Sequence, residues 1–252
     1  MSKLLSRTAV LSLLLAATTA LADDGPGTIT GTATDAAGKP LEDVLVWAQP
    51  GSVGGLHQTR TEADGSYAID GLMNLGHRVR AWVELDYRGR HYCLRLGMPA
   101  KKDYYPASPA KGLVRNFRLQ TSGRIPDVTW TTGGGAYFGG TVRVNRRMLD
   151  GQLELDLRPT GALIDGSAGQ PIVRTVAITQ GQREVDFLDI PVGPYVAKVT
   201  HVAPDGARRP LLIGPHLDPT KTEVAIEFPP AGDSCGGSDG SGIEHTYLFT
   251  AE

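Results

Sequence analysis

The segment from Gly27 to Leu72 constrains the fold most, because short runs of β-branched and small residues alternate along it with turn residues. Thr28 to Thr34 has the composition of a strand, and Asp35 to Pro40 supplies the Gly and Pro of a turn. Apolar residues at period two from Val44 to Ala48 predict a second strand, and Asp64-Gly65 predicts a tight hairpin. The segment therefore predicts successive short strands joined by turns. Further along, Tyr87-Arg88-Gly89-Arg90 predicts a hairpin between a strand that includes Val79 to Leu85 and a return strand from His91 to Leu96.

The rest of the chain has the composition of an all-β protein. Its 32 Gly and 17 Pro residues break the sequence into many short runs, and no long segment repeats apolar residues at helical spacing. The 252 residues are more than twice the roughly 100 that one small sandwich needs. Two domains are therefore expected.

The pattern from Gly27 to Leu72 closely resembles the carboxypeptidase regulatory-like domain, a small β-sandwich of the transthyretin-like (prealbumin-like) type. A weaker repeat follows in the second half, where Val185 to Ile190 and then Pro191 to Val199 match the closing corner of that family. The resemblance implies tandem Greek-key β-sandwiches over residues 23–122 and 123–252, the second with a Gly/Ser-rich C-terminal tail. Because this family is recognised by its scaffold, the resemblance implies a binding or structural module.

The N-terminus has the three parts of a signal peptide. Lys3 and Arg7 precede the apolar run Ala9 to Ala17, and Ala20-Leu21-Ala22 has the small-x-small pattern that signal peptidase accepts. A membrane anchor is the alternative, but this run is shorter than the roughly 20 residues that a bilayer requires. We expect cleavage of residues 1–22, a periplasmic or extracellular product that begins at Asp23, and no membrane span.

Cys93 and Cys235 are the only cysteines in the chain. In an oxidising compartment, an even pair forms a disulfide more often than it holds a metal or performs catalysis. A Cys93–Cys235 disulfide is therefore predicted, and it would tie the C-terminal segment to the first domain.

Motifs of catalysis, metal binding and cofactor binding are weak or absent. None of the six histidines starts the His-x-x-Glu pair through which carboxypeptidases bind zinc, so the resemblance covers only the accessory domain. Gly236 to Gly240 matches Gly-x-Ser-x-Gly around Ser238, but it lacks the strand and helix of a nucleophile elbow. A net charge of -2 argues against a nucleic-acid partner. We predict no catalytic residue, no metal site and no cofactor.

Charge is unevenly distributed along the chain. Arg78 to Arg118 holds ten basic and three acidic residues, whereas residues 215–252 hold seven acidic residues and one basic residue. Aromatic rings stack on sugars and arginines pair with carboxylates or phosphates, so the basic stretch suits an anionic polysaccharide. The candidate ligand-binding residues are Trp47, Trp82, Tyr87, Arg88, Arg90 and Tyr92.

Two alternatives remain open from the sequence. The basic residues can instead meet the acidic C-terminal segment within the same molecule. The protein can also act as a protein-interaction or assembly component of the cell envelope, through exposed sheet edges or loops. An aromatic groove open to solvent would favour carbohydrate binding, and an open sheet edge would favour protein interaction.

Overall fold

The computed structural model describes residues 27–129, 136–145, 150–179, 181–232, 234–236 and 240–251. The predicted signal peptide and its cleavage site lie outside these residues.

The regular secondary structure in the described part of the chain is almost entirely β-strand. The strands of the first half are β1 (Ile29–Thr34), β2 (Leu45–Pro50), β3 (His57–Arg60), β4 (Ser66–Ile69), β5 (His77–Tyr87), β6 (Arg90–Arg95), β7 (Leu113–Val114) and β8 (Phe117–Arg118). A 3₁₀ helix (Lys101–Tyr104) lies between β6 and β7. The strands of the second half are β9 (Gly140–Asn145), β10 (Gln152–Pro159), β11 (Ile172–Ala177), β12 (Glu184–Ile190), β13 (Tyr195–Val202), β14 (Arg208–Pro210), β15 (Leu212–Gly214), β16 (Val224–Ile226) and β17 (His245–Ala251).

These strands form four sheets, two in each half. Sheet A has the order β4-β1-β7, with β8 also paired to β1, and sheet B has the order β3-β2-β5-β6. Sheet C has the order β11-β10-β13-β14, with β16 also paired to β13, and sheet D has the order β12-β9-β17-β15. Alternate residues of each sheet face a hydrophobic core, as period-two strands require.

The second half repeats the strand order of the first. In each half the first strand pairs antiparallel with the fourth strand and parallel with a strand near the end of that half. The second strand lies between the third and fifth strands, and the fifth also pairs with the sixth. The fold is therefore all-β, with Greek-key β-sandwiches in tandem.

Two predicted turns have different outcomes. The hairpin between β5 and β6 forms, and its two central residues, Arg88 and Gly89, both have positive φ (51° and 75°), as a type I′ turn requires. A turn also forms at Asp64-Gly65, closed by the N–H of Gly65 on the carbonyl of Glu62. The hairpin predicted there is wrong, because the flanking strands β3 and β4 belong to different sheets.

Candidate functional site

The six predicted ligand-binding residues lie on sheet B and its β5–β6 turn, but their side chains divide between two faces. The residues of β5 that pack into the first sandwich include Val79, Ala81 and Val83, so Trp82 faces outward. Tyr92 lies opposite Leu85 on the inward face. The aromatic residues therefore form two separate pairs: Trp47 with Trp82, and Tyr87 with Tyr92.

The tryptophan pair is covered by the described residues of the loop between β16 and β17, which are 227–232, 234–236 and 240–244 and which we call the strap. The rings of Trp47 and Trp82 meet edge to face, with centroids 5.0 Å apart. Trp82 is only 3% exposed, and Gly236 of the strap lies directly against the indole of Trp47. The ring of Trp82 is therefore closed to a sugar, whereas Trp47 stays partly exposed.

The predicted disulfide between Cys93 and Cys235 is confirmed, and it joins the strap to strand β6. The Cα atoms are 5.3 Å apart, within the range usual for a disulfide. Beside the bond, the N–H of Arg95 donates to the carbonyl of Ser241 at 3.2 Å, and Gly242 packs against the carbonyl oxygen of Cys93. The strap thus runs along the outer edge of β6 and closes part of it.

The tyrosine pair contacts the second sandwich through its hydroxyl groups. The hydroxyl of Tyr87 donates to the carbonyl of Ala162 at 2.6 Å, and that of Tyr92 donates to the carbonyl of Phe228 at 2.8 Å. Tyr92 is 2% exposed. Burial raises the pKa of both phenols above the ordinary value, because it penalises the charged phenolate.

Arg88 and Arg90 meet an acidic residue of the second half. Nε of Arg88 lies 2.8 Å from Oε1 of Glu227, and a guanidinium nitrogen of Arg90 lies 3.9 Å from Oε2. Glu227 belongs to the acidic segment identified in the sequence. At this position, the basic stretch and the acidic segment therefore pair within one molecule, and the arginines stay about half exposed.

A buried ion cluster on the outer face of sheet B was missed by sequence reasoning. Asp127, from the segment that joins the two halves, lies 2.7 Å from Arg95 and 3.5 Å from Arg80. The carboxylate and the Arg95 side chain are almost fully buried. The sequence did place Arg80 and Arg95 on predicted strands and Asp127 shortly after the predicted domain boundary at residue 122. It did not show that these three side chains meet, because the contact is between distant parts of the chain.

The described residues show neither a metal site nor a membrane-spanning helix. No group of three or more His, Cys, Asp or Glu there is arranged to hold a metal ion. Across the same residues, no helix has the length and apolarity to cross a membrane. Ser238 of the Gly-x-Ser-x-Gly string lies outside the described residues.

Comparisons with known proteins do not place this chain in a family. No protein-family model matches it, and no curated protein matches its sequence significantly. The resemblance to the carboxypeptidase regulatory-like domain therefore rests on the sequence patterns of Gly27 to Leu72 and Val185 to Val199.

Among solved structures, the chain is weakly similar to the Bacillus anthracis TIE protein, with 11% identity and a TM-score of 0.31 over 89% of this chain and 33% of that one. It is similar to a streptococcal ancillary pilin at 11% identity and a TM-score of 0.27, covering 91% of this chain and 64% of the pilin. A C-terminal fragment of the pilus adhesin SpaC from Lactobacillus rhamnosus GG gives 12% identity and a TM-score of 0.28 over 88% and 96% of the two chains. The chain thus spans less than two thirds of the first two proteins.

Proposed function

We propose that this chain is an exported, non-enzymatic module of the cell envelope that acts in structural support and protein interaction. Its two sandwiches, residues 23–122 and 123–252, would work as one stiff unit that presents sheet edges and loops to other proteins. The signal peptide predicted at residues 1–22 would direct it to the periplasm or the cell exterior.

The observation that carries this proposal is that the residues best suited to a ligand contact the second half of the chain. Trp47 lies under Gly236, the Tyr92 hydroxyl is bonded to Phe228, and Arg88 pairs with Glu227. A disulfide and a buried Arg–Asp–Arg cluster reinforce the same junction. Such coupling suits a protein that holds two modules in fixed orientation.

Carbohydrate binding is the second candidate, and the exposure of the arginines favours it. Arg88 and Arg90 keep about half of their side-chain surface exposed at a hairpin tip, where a carboxylate or phosphate of a polysaccharide can compete with Glu227. Trp82 and Tyr92 are buried, which removes two rings of the predicted stacking surface. Under this candidate, binding depends on charge and decreases with salt.

One pair of measurements separates the two candidates. Photo-crosslinking residues placed singly at the exposed positions Val114, Leu217 and Tyr247 should form adducts with envelope proteins in intact cells of the natural host. The mature protein should run unretarded in affinity electrophoresis against charged polysaccharides. An absence of protein adducts at every position would contradict the proposal.

Retardation by a polysaccharide would overturn the proposal if the Arg88→Ala/Arg90→Ala variant abolished it. The matched control is Lys101→Ala/Lys102→Ala, which removes the same charge from exposed positions in the 3₁₀ helix of the same sandwich. Glu227→Gln frees Arg88 and Arg90 from their acidic partner without removing any strand. Deletion of the acidic C-terminal segment is a poorer test, because it would remove β17, an interior strand of sheet D. Under our proposal, Glu227→Gln also runs unretarded.

A further inference from the structure

Strand β11 is an edge strand whose outer hydrogen-bonding groups are unpaired within the described part of the chain. It pairs with β10 on one side only. The N–H of Ile178 donates to the carbonyl of Gly151, directly opposite, and this sets the alternation of bonded pairs along the two strands. By that alternation, the N–H and C=O groups of Val173, Thr175 and Ala177 point away from β10.

The side chains along this edge are also suited to strand pairing. Val173 is 62% exposed, and Thr175 and Ala177 are exposed on the same face. All three are uncharged. The one charged residue of the strand, Arg174, donates to the carbonyls of Leu188 and Asp189 in its own sandwich. No charge therefore repels a strand that approaches the outer side of β11.

The other edge strands have features that proteins use to prevent edge pairing. β7, β8, β14, β15 and β16 contain two or three residues each, and β3 and β4 contain four each. β12 carries Glu184 and Asp186 and has a register shift near its end. The strap covers part of β6. Among the edge strands described, β11 alone is long, regular and without an unpaired charge.

We infer that β11 pairs antiparallel with β11 of a second copy of this chain, about a two-fold axis through Thr175. In this register, Thr175 lies opposite its own counterpart and Val173 lies opposite Ala177, so all the outward groups of these residues form ladder bonds. Arg174 lies opposite Val176. A register centred on Arg174 would place the two arginines face to face, so like charges disfavour it.

The second copy is the favoured partner because the edge is self-complementary in three respects. Its donors and acceptors match under the two-fold rotation, its exposed side chains are small or β-branched, and Thr–Thr is a favourable cross-strand pair. Pairing would join the two copies of sheet C into one continuous sheet. The inference rests on the proposed function and deepens it, since it names the interacting partner.

Sedimentation equilibrium of the mature chain over micromolar to submillimolar concentrations tests the association. We expect a reversible monomer–dimer equilibrium that Val173→Lys weakens at least tenfold, because two lysines then flank the ladder. Val114→Lys, at an exposed valine of the first sandwich, should leave the equilibrium unchanged. A chain that stays monomeric throughout, or a Val173→Lys variant that associates like the parent, would overturn the inference.

Cysteine substitution tests the register. Thr175→Cys places two thiols across the axis at a Cα separation of about 5.5 Å, within reach of a disulfide. It should give a covalent dimer under mild oxidation, whereas Val173→Cys should do so only together with Ala177→Cys. Crosslinking by Val173→Cys alone with none by Thr175→Cys would overturn this register. A protein that stays monomeric but still crosslinks to other envelope proteins would contradict the inferred dimer and leave the proposed function intact. A dimer that binds a polysaccharide through Arg88 and Arg90 would contradict the proposed function and leave the inferred dimer intact.

Discussion

Gly236 lies so close to the indole of Trp47 that a Cβ atom at Gly236 would fall 2.1 Å from Cζ2 of the ring. Its φ of +87° is also one that residues with a side chain rarely adopt. The strap can therefore cover the tryptophan pair only with glycine at this position, and a neighbouring disulfide at Cys235 holds it there.

We predict that Gly236→Ala destabilises the protein by about 2 to 4 kcal/mol, from backbone strain of about 1 kcal/mol and overpacking of about 1 to 3 kcal/mol. Gly206→Ala is the matched control, because Gly206 has the same φ of +87° with no atom within 4 Å of its added Cβ. Urea unfolding followed by tryptophan fluorescence measures both variants. An equal loss in the free energy of unfolding for the two variants would show that the contact of Gly236 with Trp47 does not limit the side chain at this position.

Removal of the disulfide should reduce stability substantially. The bond joins residues separated by 142 positions, and the chain-entropy model gives about 4 to 5 kcal/mol for a loop of that size. We expect Cys93→Ser/Cys235→Ser to lose up to this amount in the free energy of unfolding, and the unreduced parent to show no reactive thiol in denaturant. Two reactive thiols in the unreduced protein would contradict the bond itself.

Asp127 should be among the most sensitive positions in the chain. Asp127→Ala leaves the guanidinium groups of Arg80 and Arg95 near each other without their shared carboxylate, and breaking a buried pair in this way costs about 3 to 5 kcal/mol. Asp156→Ala, at a partly exposed acid 3.9 Å from Arg158, should cost under about 1 kcal/mol. Chemical denaturation of the two variants measures the contrast, and similar losses would refute a special role for Asp127.

The buried tyrosines predict a loss of stability at alkaline pH. Burial raises the pKa of Tyr195 to about 12 and also raises the pKa of Tyr92 and Tyr67. Above about pH 10 the unfolded chain therefore loses phenolic protons that the folded chain retains, so the free energy of unfolding falls as pH rises. Below about pH 9 these groups are protonated in both states and have no effect.

Tyr195→Phe should reduce the alkaline slope by up to about 1.4 kcal/mol per pH unit between about pH 10 and pH 12, which corresponds to one proton. Denaturant titrations at a series of pH values measure the slope. An unchanged slope in Tyr195→Phe would mean that this phenol ionises alike in both states.

Local sequence was sufficient for the all-β class, for the turn at Arg88-Gly89 and for the disulfide. Alternation at period two and turn residues act between near neighbours, so they can be recognised without the fold. The pairing of Cys93 with Cys235 followed because the chain has no other cysteine.

Only the tertiary structure decided which face of sheet B is covered and what covers it. Trp82, Arg80 and Arg95 alternate with core residues, which is also the pattern of a solvent-facing strand surface. Their burial depends on Asp127 and on the strap, both of which are distant in sequence from the strands of sheet B. The residues that resembled a binding surface became a contact between the two halves because burial is set by long-range packing, and strand alternation specifies only that two faces exist.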